Sequence, residues 1–233
     1  MSEKGLRADT IIYNSMIHGY CKLGMWEEVA KMIQKMAREG LSPDVYTYSI
    51  LIDSLCKVKK VNEAIQVFES MLDRGIKPSL HTYSPLLAGL FTVNRSKDVV
   101  ELFESLRHGN LRLNAVIYNT MIAGYFKHGE TKEALKLLRE MIHEGLKPNE
   151  FTYTTLIHFV SQSGDLQVAQ EIFDSAYKSG QSPDIYSYAA LLNGLIINGK
   201  LEEARKKFDE IIGMGLVPDV VTYNTMLHGL CKR

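Results

Sequence analysis

Apolar residues in this chain come in short blocks at helical spacing, and each block ends near a glycine or a proline. In Val45–Lys57, the residues Tyr48, Leu51, Ile52 and Leu55 fall on one side, which predicts a short amphipathic helix. In Leu201–Gly215, a second helix carries Leu201, Ala204, Phe208 and Ile211–Ile212 as one stripe, while Glu202, Glu203, Arg205, Lys206 and Lys207 face water. Gly24, Gly129, Gly164 and Gly199 stand after the first kind of block, where a left-handed residue ends a helix at low cost. The second kind stops at Gly40, Gly75, Gly145, Gly180 or Gly215. Pro43, Pro78, Pro148, Pro183 and Pro218 then punctuate the turn to the next pair.

This two-helix pattern returns every 35 residues, most plainly at Tyr13, Tyr48, Tyr83, Tyr118, Tyr153, Tyr188 and Tyr223. A fixed period of that size means stacked copies of one supersecondary unit. The repeats are 10–44, 45–79, 80–114, 115–149, 150–184 and 185–219, and residues 220–233 supply the first helix of a truncated seventh. Residues 1–9 read as the tail of a preceding repeat, because Met1 falls where Met36, Met71 and Met141 fall, and Gly5 where Gly40 and Gly75 fall. The chain is therefore expected to be a segment of a longer array, with any targeting peptide outside it. Each hairpin leaves apolar surface that only a neighbour can cover. The fold class expected is all-α, a right-handed α-solenoid (superhelix) of helix–turn–helix repeats with the first helices on one face. Ala64, Ala134, Ala169 and Ala204 mark a close approach in the second helix. The third repeat departs most: Asn110 replaces the stopping glycine, Leu113 the proline, and Pro85 is placed in the first turn of a helix. A local irregularity, not a break, is expected there.

Lys+Arg and Asp+Glu both total 27, so bulk positive charge does not draw nucleic acid to this chain, though a locally basic groove is still open to it. No apolar run approaches the roughly 20 residues of a membrane span. The cysteines Cys21, Cys56 and Cys231 share one repeat position. Stacked helices lie about 8–10 Å apart, too far for a disulfide, so Cys21 and Cys56 read as small packing residues, and Cys231 is too far along the stack to join them. His18, His158 and His228 also share one position, and copies of one helix position do not converge on a metal. His143–Glu144 reads as solvated. No zinc-deaminase, His-Glu-x-x-His, phosphate-loop or dinucleotide motif occurs. Neither a cofactor nor catalysis is expected.

The run Val-Thr-Tyr-Asn-Thr-Met-Leu-His-Gly-Leu-Cys-Lys from Val221, the ending Gly-Leu-Lys-Pro-Asn at Gly145–Asn149 and the 35-residue period together resemble the pentatricopeptide repeat. Tetratricopeptide repeats differ, having 34 residues and a repeated tryptophan signature, whereas Trp26 is the one tryptophan here. The resemblance covers essentially the whole chain. Its uniform units and Cys-Lys helix endings look like the uninterrupted class of plant organellar proteins, especially the fertility-restorer-like branch.

That resemblance implies binding of single-stranded RNA, one base per repeat, amino terminus toward the 5′ end. It also implies a mitochondrial location (alternatively chloroplast) and protein partners in an RNA-processing complex. Two side chains of each repeat, the fifth and the last, would select the base. A carboxylate accepts only and suits the imino N–H of U or G, whereas an amide or hydroxyl can donate to the bare ring nitrogen of C or A. Asn14 with Asp44 then implies U, Ser49 with Ser79 A, Ser84 with Asn114 A, and Asn119 with Asn149 C with some tolerance for U. Thr154 with Asp184 implies G. Ala189 with Asp219 implies G or U, and Asn224 leans toward a pyrimidine. The implied core is 5′-U-A-A-C-G-(G/U)-3′. Base clamps would be Ile11, Tyr46, His81, Val116, Phe151, Tyr186 and Val221, and phosphate contacts Lys22, Lys57, Lys127 and Lys232.

Other readings of the same residues stand beside these. The last residue of each repeat belongs to the set that caps helices, and the fifth residues suit an exposed first turn. The clamp aromatics could pack between helices, and the seven tyrosines read as core. A tetratricopeptide-like scaffold holding a peptide in the same groove is the alternative function. A ribonuclease would need a carboxylate cluster that the repeats do not supply.

Overall fold

The computed structural model describes residues 9–109, 111–178 and 184–231, with Phe151, Tyr177 and Lys178 described in backbone only. The tail assigned to residues 1–8, together with Asn110, Gly180, Pro183 and Lys232, lies outside the described residues. Thirteen helices form among those described, as the paired pattern predicts. They are α1 Thr10–Lys22, α2 Trp26–Arg38, α3 Val45–Lys57, α4 Val61–Asp73, α5 Leu80–Thr92 and α6 Ser96–His108. Then follow α7 Ala115–Lys127, α8 Thr131–His143, α9 Glu150–Ser163, α10 Leu166–Lys178, α11 Ile185–Ile197, α12 Leu201–Gly213 and α13 Val220–Cys231. Two compact units divide the chain, Met1–Thr120 and Met121–Arg233.

Within the first unit, α1, α3 and α5 pack side by side, and α2, α4 and α6 each lie against the first helix of their own repeat. The second unit is built alike, from α9, α11 and α13 with α10 and α12 behind them. In both, a second helix also touches the first helix of the next repeat (α4 on α5, α10 on α11, α12 on α13). A single hairpin would leave these contacts in water, so the helices hold one another. The recurring tyrosine is the bolt of this joint. Tyr83, Tyr188 and Tyr223 meet Phe68, Phe173 and Phe208 edge-on, with ring centroids 5.5, 4.8 and 5.5 Å apart. Such contacts add about 0.5–1.5 kcal/mol beyond the area buried. Tyr13, Tyr48, Tyr118, Tyr153 and Tyr188 are buried, Tyr83 is half-buried and Tyr223 is exposed. Ala64, Ala134, Ala169 and Ala204 are wholly buried where the second helix approaches closely.

First helices meet through the tenth residue of one repeat and the twelfth of the repeat before it. A Cβ on Gly89 would stand 2.8 Å from Cys56 Sγ, and one on Gly194 would stand 2.1 Å from Ser161 Cβ. Cys21 and Cys56 are buried packing residues, and burial pushes the Cys56 thiol up to about 12. Cys231 is exposed. Where the tenth residue is Phe159, its ring stacks on Phe126 at 6.0 Å.

Two expectations need correction. Ile212 is exposed, because it follows Ile211 by one residue and is turned about 100° away from the buried stripe. Pro85 is the sixth residue of α5, in its second turn rather than its first, so the His81 carbonyl lacks its usual amide partner. The helix still runs unbroken. Its first turn is tightened, with the Thr82 amide donating to the Ser79 carbonyl at 2.9 Å.

The link between paired helices needs a left-handed residue, and Gly24, Gly129, Gly164 and Gly199 supply it. In the second and third repeats Lys59 (φ 62°) and Asn94 (φ 57°) hold the same position without being glycine.

Candidate nucleic-acid interface

Each first helix begins on the residue after a polar one, which a proline precedes at most joints, so the last residue of the preceding repeat stands at its N-cap. Helix N-termini leave amides unsatisfied, and these side chains fill them. Asp9 accepts from Ile12 N–H at 2.9 Å, Asp44 from Thr47 at 2.9 Å and Asn114 from Ile117 at 3.1 Å. Asn149 accepts from Thr152 at 2.9 Å, Asp184 from Ser187 at 2.8 Å and Asp219 from Thr222 at 2.8 Å. At Ser79 the amide donates to Thr82 Oγ1 at 3.2 Å, as the Asp44 and Asn149 amides do to Thr47 and Thr152. Capping thus falls to the same side chains to which the resemblance assigns base selection. One oxygen suffices for the cap.

Fifth residues reach across to the helix of the next repeat. Asn14 Nδ2 donates to Asp44 Oδ1 at 3.2 Å, which joins the two side chains assigned to the first base. Thr47 Oγ1 donates to Asn14 Oδ1 at 2.6 Å, and Asn14 is only 7% exposed. Ser49 Oγ gives its proton to the Val45 carbonyl at 2.7 Å, so Thr82 is the donor in the 2.7 Å contact between Thr82 Oγ1 and Ser49 Oγ. Thr154 Oγ1 meets Ser187 Oγ at 2.7 Å. Ser84 has Ile117 at the corresponding place, and meets Thr120 Oγ1 at 3.2 Å instead. Ser49, Ser84, Asn119, Thr154 and Ala189 are half-buried, as are Ser79, Asn114, Asp184 and Asp219. Asp44, Asn149 and Asn224 are exposed.

The second residues stand open. Ile11, Tyr46 and Tyr186 are 72%, 68% and 65% exposed, and His81, Val116 and Val221 are exposed as well. Tyr46 and Tyr186 therefore do not serve as packing between helices. Lys22, Lys57 and Lys127 are exposed, and Lys57 is paired with Asp53 at 2.6 Å. The Phe151 side chain and Lys232 lie outside the described residues.

Electrostatics at these sites follow from the caps. Partial burial works against the Asp44 charge, yet hydrogen bonds from the Thr47 amide and hydroxyl, Asn14 and the Tyr46 amide hold its carboxyl below the usual range. The Thr222 hydroxyl and amide do the same for Asp219. In the fifth repeat, a hydrogen bond shared with Asp184, and that group's charge, raise the Glu150 carboxyl.

The group that sequence reasoning passed over is the third residue. Thr47, Thr82, Thr152, Ser187 and Thr222 are buried polar residues, each just before the recurring tyrosine. Each lies against the capping residue of its own helix, and Thr47, Thr82 and Ser187 also against the fifth residue of the repeat before. The signal was present as a hydroxyl at one register position, and only packing gives it meaning.

The model of the PPR repeat family matches residues 8–57, 51–92, 113–162, 151–197 and 187–232, leaving a gap where the third repeat departs from the pattern. No curated protein matches the chain significantly. Among solved structures, the pentatricopeptide repeat protein PPR10 from maize is 28% identical with a TM-score of 0.69, over 97% of this chain and 32% of that one. The chain thus spans about a third of the length of that protein. PPR10 in complex with an 18-nucleotide psaJ RNA element is matched at 23% identity and a TM-score of 0.64, over 98% and 39% of the two chains. The PPR domain of Arabidopsis thaliana protein-only RNase P 1, in complex with tRNA, shares the fold at 16% identity and a TM-score of 0.64, over 77% and 94%. The fold is thus the all-α helical-hairpin solenoid of these proteins. With its repeats matched over well more than half of its length, the chain belongs to the PPR repeat family.

Proposed function

We propose that this segment binds single-stranded RNA, one base per repeat, reading 5′-U-A-A-C-G-(G/U)-3′ through the fifth and last residues of successive repeats. The observation that carries the reading is the pairing of Asn14 with Asp44, 3.2 Å apart beside the exposed ring of Tyr46. The cap contacts fall on Asp44 Oδ1, so Oδ2 is the oxygen offered to an imino N–H of uracil. Tyr46 and Tyr186 present ring faces on which bases stack, worth about 1–3 kcal/mol each. The protein acts by occupancy, shielding or exposing a stretch of transcript. In this reading it is a part of a longer, fertility-restorer-like array working on mitochondrial RNA, and catalyses nothing itself.

Lysines contribute little. Lys22, Lys57, Lys127 and Lys232 are the cations assigned to phosphates, and each single-strand contact adds about −0.7 to the log–log salt slope. A shallow salt dependence is expected.

Fluorescence anisotropy tests the reading. RNA containing U-A-A-C-G-G should bind more tightly than its complement. Asn119→Thr should move the fourth-base preference from C toward A. Equal binding of all four bases at that site by both proteins would refute the assignment, and tight peptide binding in its place would favour a scaffold.

A further inference from the structure

We infer that the buried hydroxyl at the third position of a repeat, where there is one, orients the base-reading side chain of the repeat before it, so that a base read this way is selected by two neighbouring repeats. The inference rests on the RNA-reading function proposed above and adds a positioning residue to it. Thr47 is wholly buried and cannot touch a base, yet its hydroxyl lies 2.6 Å from Asn14 Oδ1 and 3.0 Å from Asp44 Oδ1. It has one proton to give. Given to Asn14, that proton fixes the amide with its Nδ2 toward Asp44, which turns two flexible side chains into one oriented pair.

Two other places in the chain vary the arrangement. Ala189 offers no acceptor, and there Thr222 Oγ1 turns to Asp219 Oδ1 at 2.7 Å. In the fourth repeat the third position is Ile117, wholly buried and without a hydroxyl. Ser84 in the preceding repeat then meets Thr120, whose own proton goes to the Val116 carbonyl at 2.9 Å. Ser84 is thus held from a different side, and the third base should be read more loosely than the first.

The test measures affinity for RNAs carrying each of the four bases at the first and third positions. In wild type, the first base should be discriminated more sharply than the third. Thr47→Val keeps the shape, removes the proton and should lower the preference for U at the first base by about fivefold, the worth of one hydrogen bond. Discrimination at the fourth and fifth bases should not move, which shows that the variant is folded. Thr47→Ser should restore the preference. Ile117→Thr should sharpen the choice at the third base, a gain that no loss of folding can produce. If wild type discriminates the first base and Thr47→Val does so equally, the inference is overturned while the RNA reading stands. If wild type accepts all four bases equally at every site, the reading fails and the inference with it.

Discussion

The joint between the first and second repeats and the joint between the third and fourth occupy the same register positions with different residues, and they are wired differently. At the first, Asn14, Asp44 and Thr47 close a ring of hydrogen bonds beside an exposed tyrosine, Tyr46. At the other, Ser84 faces an isoleucine, and the exposed second residue is Val116. Asn114 still caps its helix. The difference teaches that capping the helix and orienting the fifth residue are separable. A cap needs one acceptor at the helix start, whereas the oriented Asn14 also takes a proton from Thr47 of the neighbouring repeat.

Exchanging the second residues should break the comparison most strongly. Tyr46→Val is expected to weaken RNA binding by about 1–3 kcal/mol, the worth of one stacked base, and Val116→Tyr to strengthen it by a similar amount. Titration calorimetry or anisotropy at fixed salt reads both. Next in size is removal of the fifth residues. Asn14→Ala takes one hydrogen-bond partner from the buried Thr47 hydroxyl and one from the exposed Asp44, and should destabilise the protein by about 1–2 kcal/mol. Ser84→Ala should cost less than about 0.5 kcal/mol, since it removes one long contact at a half-buried site. Urea denaturation midpoints of the two variants check this, and equal shifts would erase the distinction between the joints.

A smaller gain is expected where the first helix turns into the second. The first repeat uses Gly24 there, the second Lys59 at φ 62°. Lys59→Gly should stabilise by about 0.5–1 kcal/mol, because a side chain in the left-handed region carries a steric penalty that glycine avoids. Thermal melting of the two proteins measures it.

The finest test uses pH. The Asp44 carboxyl sits below its ordinary value in the folded protein, so its contribution is complete above the unfolded value of about 3.9 and is lost as pH falls through the folded one. Asp44→Asn should therefore narrow the difference in stability between neutral and strongly acid solution. Asn114→Asp should widen it. Denaturation at pH 7 and pH 3 gives the sign, and no change from either variant would show that the caps do not titrate with folding.

Much of this was legible in the chain. Apolar spacing and glycine stops located the paired helices, and the 35-residue period put equivalent residues in equivalent places. Residues expected to be small packing groups, Ala64 and Cys56 among them, are buried against neighbouring helices. Details that depend on exact phase were less visible. Ile212 lies one residue beyond the buried stripe, and Pro85 sits one turn deeper in its helix than its sequence neighbours implied. Periodicity marks a face to within a residue or so; it does not say where that face ends.

By itself, then, the sequence determined the helices, their pairing and the recurrence of polar residues at the helix starts, because those follow from local spacing and from what each residue permits its own backbone. It could not decide which polar group each of those residues would meet. Thr47 reaches Asn14 across 33 positions, and Ser84 reaches Thr120 across 36, because side-by-side packing of first helices brings those atoms together. Hydrogen bonds are settled within a few tenths of an ångström, and only the packed helices set distance on that scale.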